Sequence, residues 1–370
     1  KSNGVKQIIN DKWTVRELLA KISQKKIQKP KFQRKRKWEK KPKNGKKDTV
    51  PNEASYIKFL NETRNSVHSI TFGQEHTVDG ITYSNIDGNN RINAMANFMN
   101  KPFEIFDEKL EKLNTYIDTL STLTPEEKEI YKNLIADCTY TEIMNFKYKE
   151  FFKNKGFTDL YNNKLFKERD DGEEIIDQLK KSLQIEDPNT HALEPFDGIV
   201  KINVNLFEGY SIDDLSKTFE DINKYNSNLT PNELLASSLY HVVEFKIDDN
   251  IIYASIIEEL KGYYSKKSEG EALECYEFKE DRPINAYDFI TGFQLYCHTY
   301  TKYSTGTKEV SLIEEPKEDL FFKLFSIIYG GLENHRNVSN FTTENVNEFI
   351  QLLMYSCTIL KQTINNIFSD

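Results

Sequence analysis

The stretch Gly80–Met99 (GITYSNIDGNNRINAMANFM) constrains the fold of this chain more than any other. Gly80–Ile86 carries β-branched and aromatic residues and reads as a strand. Asp87-Gly88 breaks it, and Asn89–Met99 follows at once with Ile92, Met95, Ala96 and Met99 at helical spacing. A strand, a glycine turn and a helix in direct succession define a mixed α/β unit. The first-turn N–H groups of such a helix lack intrahelical partners and its dipole end is positive, so the turn is a natural seat for phosphate. Arg91 falls in that first turn, where the dipole alone disfavours a cation, and its guanidinium can add a fork of donors to the same anion. Asp87 would cap the helix or hold a divalent metal that bridges phosphates. The alternative is an ordinary capped turn with a surface arginine.

The flanking sequence extends the unit. Residues 11–22 (DKWTVRELLAKI) open on an Asp11/Thr14 cap and place Val15, Leu18, Leu19 and Ile22 on one helical face. Residues 23–39 read as an extended segment or edge strand, 40–50 as a Lys/Pro/Gly loop and 52–64 as a helix. Short β signals lie at His68–Phe72 and Pro102–Phe106. From Lys109 to Leu183 the pattern is helical, with Thr124, Pro125 and Glu127 opening one helix. Residues 199–207 (IVKINVNLF) alternate cleanly and are expected to return as a strand to the sheet. Helices are expected at 212–225, 231–245 and 343–368, with loops at 264–282 and 303–317 and a stop at Gly330-Gly331. The expected fold class is α+β. It divides into an α/β domain over 1–108, a helical region with a returning strand over 109–235, and a helical domain over 236–370. A length of 370 residues suits two or three domains.

Charge is distributed unevenly. Residues 1–50 hold 18 Lys/Arg against 4 Asp/Glu, a local +14, while the other 320 residues hold 32 against 54, or −22; together they give the net −8. Such an asymmetry points to a polyanion-facing end. Within it, Lys31-Phe32-Gln33-Arg34-Lys35-Arg36-Lys37-Trp38 interleaves aromatics with cations, as suits a nucleotide or a nucleic-acid backbone. Alternation puts Phe32, Arg34, Arg36 and Trp38 on one face, where the arginines need an anionic partner. An edge strand protected by charge is the competing reading.

Several classes are excluded or disfavoured. There is no G-x-x-x-x-G-K-[ST], no G-x-G-x-x-G and no H-E-x-x-H. The six histidines show no metal-ligand spacing, and Glu244-Phe245-Lys246 and Glu277-Phe278-Lys279 lack a partner acid for nuclease chemistry. Four separated cysteines (Cys138, Cys275, Cys297, Cys357) read as reduced thiols of an intracellular, cytoplasmic protein. No apolar run reaches the ~18–20 residues of a membrane span, and no secretory signal follows Lys1.

Phe32-Gln33-Arg34…Trp38, followed by Ile86-Asp87-Gly88-Asn89-Asn90-Arg91 at the start of a helix, resembles the N-terminal domain family of GmrSD-type restriction endonucleases, which has the ParB/sulfiredoxin-like fold. Phe219–Asn223 (FEDIN) and Leu229–Leu234 (LTPNEL) are similar to later motifs of that family, so the likeness spans residues 32 to 234. It implies a small mixed sheet followed by a helical body. It also implies nucleotide binding and hydrolysis in DNA-targeting defence, with Gln33, Arg34, Asp87, Gly88, Asn89, Asn90 and Arg91 at the site.

The family's Asp-Gly-Gln-Gln-Arg is Asp-Gly-Asn-Asn-Arg here, one methylene shorter twice, which puts hydrolysis in doubt before binding. The His-Asn-His nuclease domain of many relatives has no counterpart. The Lys/Asn/Ile-rich composition resembles that of an AT-rich genome such as a large DNA virus.

The expected function is therefore binding of a nucleoside triphosphate with Mg²⁺, with Asp87 and Arg91 as the catalytic pair and Asp87 as the metal ligand. Non-catalytic DNA binding or a structural role, through Lys31, Arg34, Lys35, Arg36, Lys37 and Trp38, is the alternative. A Mg²⁺-dependent ParB-like nuclease is the third reading.

Overall fold

A computed structural model describes residues 5–30, 38, 52–119, 121, 123–145, 177–178, 180–181, 183–186, 190–226, 236, 239, 247, 249–273, 284–304, 309–313, 320–330 and 340–368. The expected helix over 231–245 lies almost wholly outside these residues, as do the 40–50 loop and all of 31–37.

The chain opens with β1 (Gln7–Thr14), α1 (Val15–Ser23), β2 (Ile27–Gln28) and α2 (Glu53–Thr63). Next come β3 (Ile70–Thr77), β4 (Gly80–Asp87), α3 (Asn89–Asn100), α4 (Pro102–Ile105), α5 (Asp107–Thr119), α6 (Pro125–Ala136) and α7 (Tyr140–Asn145). A small hairpin, β5 (Gln184–Glu186) and β6 (Leu193–Pro195), leads through α8 (Phe196–Ile199) to β7 (Lys201–Glu208) and α9 (Ile212–Asn226). The remainder is α10 (Asn250–Ser268), α11 (Ala286–Tyr300), the hairpin β8 (Lys302–Ser304) and β9 (Glu309–Ser311), α12 (Leu320–Tyr329) and α13 (Thr343–Phe368).

The architecture is α+β, built on one mixed five-stranded sheet in the order β1-β7-β3-β4-β2. The expected returning strand is β7, and it lies inside the sheet, antiparallel to β1 and parallel to β3. Its Ile202, Val204 and Leu206 are buried while the residues between them are not, which is the alternation of a strand with one apolar face. In β3 the four residues Ile70–Gly73 are all buried, so this strand is covered on both faces. Ile70 and Phe72 face the first apolar cluster, which runs from Trp13 to Leu206 and includes Leu273. Trp13 stacks on Phe72 at 5.5 Å and meets the Tyr83 edge at 5.2 Å. Ile86 belongs to a second cluster on the other face, running from Leu215 to Cys357. At its centre is α11, buried almost all round as the core helix of a bundle must be.

Capping residues set the helix starts as the sequence suggests. Thr14 and Glu17 form a reciprocal capping box on α1, and Thr124 and Glu127 form another on α6 behind Pro125. Gly330, at φ +73°, ends α12.

Four expectations need correction. Residues 11–14 are not helical: Asp11 pairs with Val204 and Trp13 with Ile202 in the β1–β7 ladder, so the helix starts only after Thr14. Asp11 accepts the Trp13 indole N–H at 2.8 Å instead of capping. Pro102–Phe106 is a single helical turn, closed by the Phe106 N–H on the Pro102 carbonyl at 3.0 Å, because Pro102 suits a first helical position. The expected loops also hold structure: α10 continues to Ser268, and β8 and β9 pair within 302–311. Cys138, Cys297 and Cys357 are buried free thiols, as expected. Among the described residues no helix is long and apolar enough to cross a membrane.

Gly73 lies directly under Leu215 of α9, and a Cβ there would run into the leucine side chain. Gly73→Ala is therefore expected to lower unfolding stability by about 1 kcal/mol or more through overpacking. Combined with Leu215→Ala it should cost less than the two single changes summed, as a chemical denaturation cycle would show.

Asp214 anchors α9 to the sheet end through Lys6 Nζ at 2.8 Å and the Ser211 N–H at 2.9 Å. The hydrogen bonds from Lys6 and Ser211 lower its pKa from 3.8 to about 2. A depressed carboxylate pKa means that the stabilisation is present above the unfolded value and fades as pH falls through the folded one. The stability difference between wild type and Asp214→Asn should accordingly shrink between about pH 4 and 2.

Candidate functional site

The site starts at the carboxyl end of β4. Gly88 takes φ +105°, ψ +10°, a conformation that side-chain-bearing residues rarely adopt. A Cβ at this position would also lie 2.8 Å from Ile70 Cγ2. The glycine thus permits two things together, a left-handed turn and close contact with the central strand. Helix α3 starts on the next residue, and its first internal bond is the Ile92 N–H on the Gly88 carbonyl at 2.9 Å. Asn89, Asn90 and Arg91 form the first turn, whose N–H groups point out of the helix end. Gly88 offers them no side-chain cap.

Asp87 does not cap the helix. Its Oδ2 accepts a 2.6 Å hydrogen bond from Arg91 Nη2, an ion pair one turn apart. The Arg91 side chain is 13% exposed and that of Asp87 36%, so the pair lies at the rim of the structure with the guanidinium on the inner side.

Tyr56 of α2 stands near this guanidinium. Its hydroxyl is buried with no hydrogen-bond partner among the described residues, and burial pushes its pKa up to about 12, against the lowering influence of the Arg91 charge. From the sequence, Tyr56 reads only as part of the apolar side of α2, beside Ile57, Phe59 and Leu60. The Trp38 ring packs edge-on against Tyr56 with centroids 5.5 Å apart, and the Trp38 N–H points to Asn90 Oδ1 at 3.4 Å. Trp38, the last residue of the basic segment, therefore meets the turn motif at Asn90. Lys31, Gln33, Arg34, Lys35, Arg36 and Lys37 lie outside the described residues.

Asn89 has a different role from that expected. Its side chain is buried, donating from Nδ2 to Glu271 Oε2 at 3.2 Å and accepting at Oδ1 from Asn93 Nδ2 at 3.1 Å. Its side-chain amide is thus engaged in the interior, behind α3. Glu271 also accepts from Lys29 Nζ, and both of these side chains have 0% exposure. Nothing in the spacing of Lys29 and Glu271, far apart in sequence, announces this contact.

Among the described residues no group of three or more His, Cys, Asp or Glu side chains is placed to hold a metal ion. Asp87 is the carboxylate at the turn, which fits the sparse protein ligation of Mg²⁺ bound to a nucleotide, where phosphates and waters supply most ligands. Chemically, a turn of this kind can offer an anion backbone N–H groups and the charge of Arg91. No protein-family model, curated protein or solved structure matches the chain.

Proposed function

We propose that this chain is a nucleotide-binding protein whose α/β part is of the ParB/sulfiredoxin-like kind, similar to the N-terminal domain of GmrSD-type restriction endonucleases. A nucleoside triphosphate would place its phosphates at the Gly88 turn. The observation that supports this most is a glycine-capped helix start with the Arg91 guanidinium in its first turn, and near that charge a buried Tyr56 hydroxyl with no hydrogen-bond partner among the described residues. A buried hydroxyl left unpaired carries a desolvation cost that a bound oxyanion would relieve.

Backbone N–H groups of α3 would hold phosphate oxygens, and Arg91 would turn part of its fork from Asp87 to the ligand. Asp87, so released, would hold Mg²⁺ or orient a water toward the terminal phosphorus. Mg²⁺, when bound with the nucleotide, supplies charge neutralisation between the phosphates. Hydrolysis at such a site would depend on electrostatic stabilisation of the transferring group, with Arg91 as the principal contributor.

Thermal melts with each NTP and Mg²⁺ test the reading, since a ligand that binds only the native state stabilises it by about 2.7 kcal/mol at 100 times its Kd. Wild type should shift with at least one nucleotide and Arg91→Ala with none; a full shift in the variant would remove Arg91 from the site. Tyr56→Phe deletes an unpartnered hydroxyl, so the ligand-free protein should keep its stability while the ligand-induced gain falls by about 1 kcal/mol.

The local +14 of residues 1–50 favours a second reading, DNA binding through the basic segment that ends at Trp38. Under it, log affinity for duplex DNA should fall steeply and linearly with log salt, by a slope of about −0.9 per phosphate neutralised. A salt-independent affinity in a filter-binding titration would eliminate this reading.

A further inference from the structure

Residues 270–273 follow α10 and leave the helical half of the molecule. Gly270, at φ +70°, turns the chain, and Leu273 is buried in the first apolar cluster among residues of the α/β part. Between them, Glu271 and Ala272 bind polar groups of α3 and β2's end. Glu271 Oε2 accepts from Lys29 Nζ and from Asn89 Nδ2, and the Ala272 N–H donates to Asn93 Oδ1 at 2.7 Å. Asn93 Nδ2 in turn donates to the Asn89 carbonyl at 2.8 Å and to Asn89 Oδ1 at 3.1 Å. The first residue of α3 is thereby held from behind by a segment that the C-terminal half supplies.

The ion pair is an expensive way to fasten two parts of a protein. Burying both charges carries a large desolvation cost before their attraction is counted, and well-packed apolar residues often do as well or better for stability. What an apolar pair cannot provide is a fixed acceptor for Asn89 Nδ2. That bond ties the first residue of α3 to the segment that follows α10.

We propose that Glu271 is a positioning residue for the anion seat, acting through Asn89 and making the geometry of the Gly88–Arg91 turn dependent on the docking of residues 270–273. The proposal rests on the reading of that turn as a phosphate site, and it links the seat to the helical half by a direct mechanical contact. Changes in how α10 and its following segment are held would alter anion affinity, and anion binding would in turn tighten the segment by the same factor.

Two double variants separate positioning from mere stabilisation. Lys29→Met/Glu271→Gln and Lys29→Met/Glu271→Leu both remove the charge pair without leaving one of its charges buried alone, but only the glutamine keeps an oxygen for Asn89. Asn89→Ala breaks the same bond with the charge pair intact, and covers the case in which a double variant fails to fold. Amide hydrogen exchange of residues 89–93 without ligand, and calorimetric titration with inorganic pyrophosphate, are the two readouts.

The Leu double variant and Asn89→Ala should exchange about tenfold faster at these amides, and bind pyrophosphate about tenfold more weakly, than the Gln double variant. Equal exchange in all three overturns the proposal. So does equal pyrophosphate affinity in the presence of unequal exchange, because Glu271 would then order the turn without serving the seat. If wild type binds no pyrophosphate, the phosphate-site reading fails by itself, and the exchange comparison still decides whether Glu271 positions the turn.

Discussion

Gly88 and Ile70 occupy a space in which no side-chain carbon fits between them. This contact joins the end of β4 to the middle strand of the sheet, so α3 must leave the sheet at one place and in one direction. Everything at the candidate site follows from that departure. Asp87 is the last residue of the strand, Arg91 lies in the first turn of the helix, and the tight Gly88 turn between them brings the two side chains together. A residue larger than glycine would have to open both the turn and the packing over β3.

The sheet that carries this turn is itself held between two apolar layers. Phe72 and Trp13 fill one side, and Gly73 lets Leu215 of α9 approach the other. Since β3 is covered on both faces, the α/β part and the helical half are not independent cores stacked by chance. Ile86 of β4 belongs to the helical side and Leu273 of the helical half belongs to the sheet side. The exchange of these two residues, one in each direction, is what brings Glu271 within reach of Asn89.

Local features of this arrangement were legible in the sequence and distant ones were not. The strand, glycine and helix of Gly80–Met99, the caps at Thr14 and Thr124, the alternation of β7 and the length of α13 all follow from spacing within a few residues. Sequence spacing is ambiguous where short apolar runs fit two periods, as at Pro102–Phe106, or where a strand runs into a helix without a loop, as at Thr14. At the site, Asp87, Gly88 and Arg91 came from the motif. Tyr56 was hidden because a tyrosine on the apolar face of a helix looks like core. Glu271 carries no local signal, since its meaning depends on a fold that brings it to Lys29 across the chain.

The pairing of Asp87 with Arg91 also bears on which anions the turn could take. A cation in the first turn of a helix is opposed by the dipole, and Asp87 offsets this by supplying an internal counter-charge. To occupy the seat, an incoming anion must draw Arg91 from a carboxylate already hydrogen-bonded at 2.6 Å. A singly charged anion offers Arg91 no more than Asp87 does, so it gains only the backbone contacts. On the proposed reading a polyphosphate would bring more charge and several acceptor oxygens, enough to engage the guanidinium and the α3 amides together. Asp87, once released, would on that reading be the carboxylate to hold Mg²⁺ beside the ligand, which would offset the loss of the internal pair. The same pair that makes the ligand-free turn stable therefore sets a threshold of charge below which little should bind.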